Sequence, residues 1–340
     1  MKAILAFFLL GALTTSDCFE YKTPAIGSTG EVLVIADSDT WNTASEALRE
    51  ALERIIYTPQ AEPVFYLRRI LPDELERYHR YRNLVFMASL NSNSATTDLI
   101  NQMLSDDARR GVMNGDHFMF SRSDEWARDQ LLMLLVGPND EAIRDNITNE
   151  ADWVYRQFET NLQTALESRM FRRLEEKDIE KDLWERFGWT MRIEYDYRLA
   201  LANAANKFVW LRKYDPQRMI FVHWIDAPDG DRITSDWLLE QRNHLGYTYC
   251  DSMIVDDKYL TSRDVEFAGF DAVQLQGLWK IPHKTVGGPF ICTAFYDDIT
   301  DRIFIIDAAV FAPGREKLPW LQRTQTVARN FSLRPFDHFE

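Results

Sequence analysis

The chain has 340 residues, with 39 Lys and Arg against 53 Asp and Glu and a formal charge of −14. Hydrophobic residues make up 46% and charged residues 27%, which excludes a disordered or collagen-like chain and allows one large core or two modest ones. So acidic a chain is not built to hold a nucleic-acid backbone, nor to sit on anionic lipid by a basic patch.

Met1-Lys2 is followed by 11 residues without a charge, Ala3 to Leu13. One cation before a short apolar run is the pattern of a secretory signal, here residues 1–17. The run is shorter than the roughly 20 residues that a spanning helix needs. Next comes Leu13-Thr14-Thr15-Ser16-Asp17-Cys18, which resembles the lipidation box of bacterial lipoproteins. It departs from that box at Thr15, where Leu is usual, and at Asp17, where a small residue is usual. Cys18 is the candidate lipid anchor, since two or more acyl chains hold a protein stably on a bilayer. Residues 18–30 then form a tether. The twelve residues from Phe19 to Gly30 extend to at most about 40 Å.

Glu31 to Ala36 reads as a buried strand, and Asp37, Ser38 and Asp39 offer caps for a helix with Trp41, Ala44, Leu48, Ala51, Leu52 and Ile55 on one face. Four segments then repeat one order: strand, proline turn, helix. The strands are Val64–Leu71, Leu131–Val136, Met219–Ile225 and Arg302–Phe311; Pro72, Pro138, Pro228 and Pro313 follow them. Proline has no ladder N–H and disfavours helix at the residue before it, so each marks a strand end. Further strands are expected at Leu84–Leu90, His117–Arg122, Thr190–Tyr195, Lys207–Arg212 and Phe290–Phe295. Asp297 to Asp301 is a hairpin turn. The longest helix is expected over Asn149–Glu176, and a shorter one carries Ile179, Leu183 and Phe187 with Gly188 as its cap. Strands that follow one another without a helix between them argue against a purely parallel sheet. The fold class is therefore α+β: mixed, largely antiparallel sheets covered by helices, in two related halves, 31–177 and 178–340, able to pack as one domain.

No G-x-S-x-G elbow, phosphate-binding G-x-x-x-x-G-K or H-E-x-x-H occurs. The six His are scattered, none within five residues of another, so no metal is implied. His223 reads as a hydrogen-bonded core residue. Asp37 with Asp39, Asp229 with Asp231, and Asp297-Asp298 lack the further ligands of a cation loop and read as caps and turns. Gly287-Gly288-Pro289-Phe290 admits two readings. Its N–H groups could grip an anion or a peptide carbonyl, with Trp279 walling a shared groove, or it is a turn feeding a strand. Trp41, Trp153 and Trp224 read as core; Trp126, Trp279 and Trp320 lie near turns, where an exposed ring could meet a partner. Cys250 and Cys292 are a candidate disulfide in an oxidising envelope, or two buried thiols.

Phe208-Val209-Trp210-Leu211-Arg212, Gly277-Leu278-Trp279, Gly287–Phe290 and Val310-Phe311-Ala312-Pro313 together resemble the Bacteroidota envelope lipoproteins grouped as domain of unknown function 4837. Asp124 to Gln130, with Trp126 and Gln130 as candidate partner-facing residues, resembles that family's central segment. The stretch Glu31 to Trp41 fits as well, so the resemblance covers nearly all of the chain after the leader. It implies export and a lipid anchor, and brings no catalytic residues. The expectation is a lipoprotein of the cell envelope, facing the periplasm or on the outer-membrane surface, without cofactor or nucleic acid. Its role is that of a non-enzymatic binding or assembly module with an envelope-protein or cell-wall partner. The alternatives are a glycan- or peptide-binding lipoprotein and a hydrolase without a recognisable motif.

Overall fold

The computed structural model describes residues 22–172, 174–226 and 233–339. The leader, Cys18 and the Asp229/Asp231 pair lie outside them. The first half runs β1 (Glu31–Ile35), α1 (Ser38–Leu52), β2 (Ile55–Tyr57), β3 (Ala61–Pro63), β4 (Tyr66–Ile70), α2 (Leu75–Tyr78), β5 (Asn83–Ser89), α3 (Ala95–Met103), α4 (Asp106–Met113), β6 (Met119–Ser123), β7 (Leu131–Gly137), α5 (Asp140–Asn149) and α6 (Ala151–Met170). The second half runs α7 (Lys177–Phe187), β8 (Thr190–Met191), β9 (Arg198–Asn203), β10 (Phe208–Lys213), β11 (Gln217–Asp226), α8 (Ser235–Tyr249), β12 (Ile254–Phe267), β13 (Phe270–Lys280), β14 (Gly287–Asp297), β15 (Arg302–Phe311), α9 (Leu318–Arg329) and β16 (Phe331–Ser332).

The fold is α+β with mixed, largely antiparallel sheets. The first sheet has the order β4-β1-β5-β7-β6, parallel except for the edge strand β6. The second, β12-β13-β14-β15-β11-β10-β9, is antiparallel throughout. Alternation along the strands assigns their faces. On the first sheet, Leu33, Phe86 and Leu134 pack against α3 and α4, while Val34, Met87 and Leu135 face α1, α5 and α6. On the second, Val222, Phe304 and Ile306 face α9 and the same central helices, while Phe221, Ile305 and Phe290 face α8. The result is five layers, helix–sheet–helix–sheet–helix, with the largest core in the middle.

Local signals explain the element ends. The Asp37 carboxylate accepts the Thr40 N–H at 3.1 Å and caps α1, Asn139 caps α5, and Gly188 ends α7 with a positive φ. Each of the four proline-marked strands is present and is followed by a helix. Helix α6 stops at Met170, short of the expected Glu176, because the chain turns there to run beside residues 193–195: Glu176 N–H donates to Ile193 and Tyr195 N–H to Leu174. The strand expected over Thr190–Tyr195 shrinks to Thr190–Met191 for the same reason. Trp224 is core, whereas Trp153 is exposed in the first turn of α6.

Residues 22–30 are not a free spacer. Ala25 N–H donates to Arg128 and Arg128 N–H to Thr23; Ile26 N–H donates to Arg80 and Arg82 N–H to Ile26, all at 2.8–3.0 Å. The Lys22 ammonium donates to the carbonyls of Asp124 and Glu125 at 2.6 and 2.9 Å. From Lys22 onward the expected tether belongs to the folded body.

Candidate functional site

The residues singled out in the sequence are distributed over separate places. Gln130 is fully buried; its amide donates to the carbonyls of His79 and Tyr81, and its oxygen accepts the Trp126 N–H at 2.9 Å. It pins the loop before β7 to the turn before β5. Trp126 is half-buried on that loop, beside His79 and Phe86. Trp279 is only 3% exposed and donates its indole N–H to the Val310 carbonyl at 3.2 Å, so it walls no groove. Phe290 is fully buried beneath the Arg242 guanidinium. A Cβ on Gly288 would stand 2.0 Å from the Val310 oxygen, and one on Gly287 2.5 Å from the Trp279 oxygen. Close approach of neighbouring strands therefore demands both glycines, and Pro289 continues β14 opposite Leu278. Of the two readings of this segment, the strand-feeding one is what the geometry shows. Cys250 and Cys292 are buried, unbridged thiols whose pKa burial pushes up. His223 is half-buried, with Nδ1 2.8 Å from the Lys207 carbonyl.

Asp37 serves as a cap, and Asp297 accepts the Thr300 N–H, as turn duty requires. Among the described residues, no three His, Cys, Asp or Glu side chains are placed to hold a metal ion. A recess of about 400 Å³ lies at the end of α6, lined in part by Phe171, Arg172 and Arg192. Arg192 is bound by both oxygens of Glu175 and stacked on Phe171, so its charge is already answered.

The concentration of chemistry that remains is centred on Glu194, at the β10–β11 turn end of the second sheet. Lys213 and Arg218 sit opposite each other in the β10–β11 ladder, on the face where Leu211 and Ile220 pack inward. Trp320 and Arg323 come from α9; Glu194 and Tyr197 come from the segment between β8 and β9. One Glu194 oxygen accepts from Arg218 at 2.8 Å and lies 3.2 Å from the Lys213 ammonium, while the other accepts from Arg323. The Trp320 ring lies against both guanidinium groups, at 5.2 and 5.5 Å. Burial raises the Glu194 pKa, but Arg218, Arg323 and Lys213 outweigh it and hold the carboxyl below its usual range. Burial lowers the Lys213 pKa, and the neighbouring arginines add to that against the pull of Glu194. The phenol of fully buried Tyr197 is pushed up to about 12, chiefly by burial.

Three cations around one carboxylate leave two positive charges uncompensated within the cluster. The Nε groups of Arg218 and Arg323 are buried and without a partner. Arg323 is 34% exposed and forms the open side. Such a group can fix a carboxylate or phosphate through planar N–H forks, and it contains no nucleophile beside a base. Sequence reasoning missed it, Trp320 apart, because its parts come from three separate stretches, 194–197, the β10–β11 hairpin and α9. The one local signal was Arg218 and Lys213 at strand positions whose alternation calls for apolar residues.

Both halves match domains of unknown function. Residues 176–329 match the family described as DUF4837, and residues 25–171 match a different one, DUF8532. The resemblance to the first family thus holds for the second half and not for nearly the whole chain. The motifs at Glu31–Trp41 and Asp124–Gln130 fall in the part that matches DUF8532. Among curated proteins none matches the sequence. Several solved structures overlap parts of the chain. LpqN of Mycobacterium tuberculosis, described as involved in cell envelope biogenesis, is 10% identical, with a TM-score of 0.28 over 42% of this chain and 82% of its own. The Ran-binding protein Mog1p of Saccharomyces cerevisiae is 11% identical, with a TM-score of 0.29 over 43% of this chain and 90% of its own. Overlaps this slight leave fold and function to the residues of this chain. Among the described residues, no helix is long and apolar enough to cross a membrane.

Proposed function

We propose that the protein is an exported, lipid-anchored binding module of the cell envelope, and that its Glu194 cluster receives the carboxylate or phosphate group of a wall polymer or peptide partner. The observation that carries the reading is a half-buried site with two surplus positive charges in a chain of net charge −14. Cations kept together in so acidic a molecule have a purpose beyond solubility, because buried charge is costly unless it is answered. Trp320 supports the same reading, since an aromatic wall beside a guanidinium pair suits a sugar ring or side chain that carries the anion. The leader pattern and Cys18 support the location.

The test is thermal unfolding of the full chain with inorganic phosphate and with acetate, at constant ionic strength held by chloride. Ligand at a hundredfold excess over Kd adds about 2.7 kcal/mol of stability. A rise of a few degrees is therefore expected with phosphate or acetate and not with chloride. Arg323→Gln, at the open side of the site, should lose most of that rise while keeping the ligand-free Tm close to that of the parent. An equal response of parent and variant to every anion would overturn the proposal.

A further inference from the structure

The clamped N-terminal segment fixes which end of the molecule meets the bilayer. This inference rests on the proposed lipid anchor at Cys18. Between Cys18 and the first clamped residue, Lys22, lie only Phe19, Glu20 and Tyr21. Four Cα steps span at most about 14 Å when fully extended, about a third of the reach of a free tether to Gly30. Lys22 is itself fastened to the 124–125 carbonyls, and residues 23–26 are zipped between Arg80–Arg82 and Arg128. These contacts lie at the amino ends of the parallel strands β5 and β7, which begin at Asn83 and Leu131. An acyl group on Cys18 therefore has no slack to let the body turn another face to the membrane.

The charge at this end agrees with that orientation. The residues that grip the segment, with their immediate neighbours and the link to Cys18, contribute Lys22, Arg80, Arg82, Arg122 and Arg128 against Glu20, Asp124, Glu125 and Asp129, and Arg82 is buried. This end is therefore close to neutral, in contrast with a molecule of total charge −14. A near-neutral surface that the anchor forces to within about one Debye length (~8–10 Å) of anionic headgroups meets little repulsion there, whereas the acidic remainder is repelled. Trp126 is half-buried on the same loop. We infer that the end formed by residues 22–26, 80–82 and 122–129 lies against the phospholipid surface, and that the carboxyl ends of the parallel strands point away from it.

Two single-cysteine probes test this, since the native Cys250 and Cys292 are buried. Ser123→Cys places a dye on an exposed residue beside the clamp. Asn91→Cys places one on an exposed residue beyond the opposite end of β5, about 20 Å away along a strand that rises ~3.3 Å per residue. The acylated chain is reconstituted in vesicles of phosphatidylethanolamine and phosphatidylglycerol that carry a headgroup quencher. Several-fold stronger quenching at position 123 than at 91 is expected, and inserting about fifteen Gly and Ser residues before Lys22 should abolish the difference, because such a linker behaves as a flexible coil. Equal quenching at the two positions in a chain shown by mass spectrometry to be acylated would overturn this inference and leave the anchor intact. An unmodified Cys18 in the native product would overturn the anchor and the orientation together.

Discussion

At the scale of single residues, the second sheet carries an ion pair with no access to water. Arg242 on α8 is fully buried, and its Nε donates to Asp307 on β15 at 2.9 Å. The guanidinium carbon lies 3.8 Å from the centroid of the Phe290 ring, and both Nη groups are without hydrogen-bond partners. Burial raises the Asp307 pKa, and Arg242 and the Cys292 thiol only partly restore it. A buried pair of this kind contributes little net stability, but removing one partner strands the other charge, at a cost of about 3–5 kcal/mol. Asp307→Ala should therefore lower the free energy of unfolding by that amount in a urea titration. The double change Arg242→Met with Asp307→Leu should restore most of it, since apolar residues of similar volume fill the space without a charge. A loss below about 1 kcal/mol for Asp307→Ala would show that the interior around Arg242 is wet, contrary to its zero exposure.

At the scale of elements, α7 is held in place by a buried carboxyl in its first turn. Glu180 is fully buried; one of its oxygens accepts the Ile193 N–H at 2.7 Å, and the other lies 3.0 Å from His338 in the C-terminal turn. Burial pushes its pKa up to about 7; the Ile193 N–H and the charges of Arg192 and Lys177 lower it, and Glu175 raises it. The folded chain thus keeps a proton between about pH 4.5 and 7 that the unfolded chain has released. Stability from this group is full below pH 4.5 and declines as pH rises through 7, by an amount on the order of 3 kcal/mol at ~1.4 per unit. Glu180→Gln keeps an acceptor for Ile193 and cannot ionise, so its Tm should fall less than that of the parent between pH 5 and 8. Parallel Tm profiles for parent and variant would refute this role. Legibility in the sequence also divides by element. Strands that stop at a proline and helices with an Asp or Gly cap were readable because one residue type carries each signal. The β12–β13 hairpin was not. Its turn uses Ala268-Gly269, both with positive φ, where Asn-Gly is the usual mark, and an irregularity between Asp256 and Thr261 breaks the alternation. The Glu194 cluster escaped for a different reason, since only tertiary packing brings its three stretches, 194–197, the β10–β11 hairpin and α9, together.

At the scale of the whole molecule, the boundary between the two matched families falls between residues 171 and 176, yet the central core does not stop there. One continuous cluster runs from Val34 and Met87 on the first sheet, through Phe158, Leu162 and Leu166 on α6, to Val222, Phe304 and Ile306 on the second. Polar contacts cross the same line. The carboxylate of Glu62, in β3, accepts the N–H groups of Lys317 and Leu318 at 3.0 Å and so caps α9 in the other half. Thr326 and Asn330 bond to Gln163 and Glu167 on α6. Separation would expose the inner face of α6 on one side and the α9-facing side of the second sheet on the other. Each exposed large aliphatic or aromatic side chain costs about 1.5–3 kcal/mol. A domain is stable by only about 5–15 kcal/mol, so the loss of a few such contacts removes the whole margin. Expressed separately, the chains 22–172 and 174–340 should be insoluble or bind hydrophobic dyes, and their co-expression should recover a soluble complex. The intact protein should unfold in a single calorimetric transition, because neither sheet retains a closed core once the middle layer opens. Two resolved transitions, or a cooperative melt of either fragment alone, would show instead that the halves are independent bodies that happen to touch.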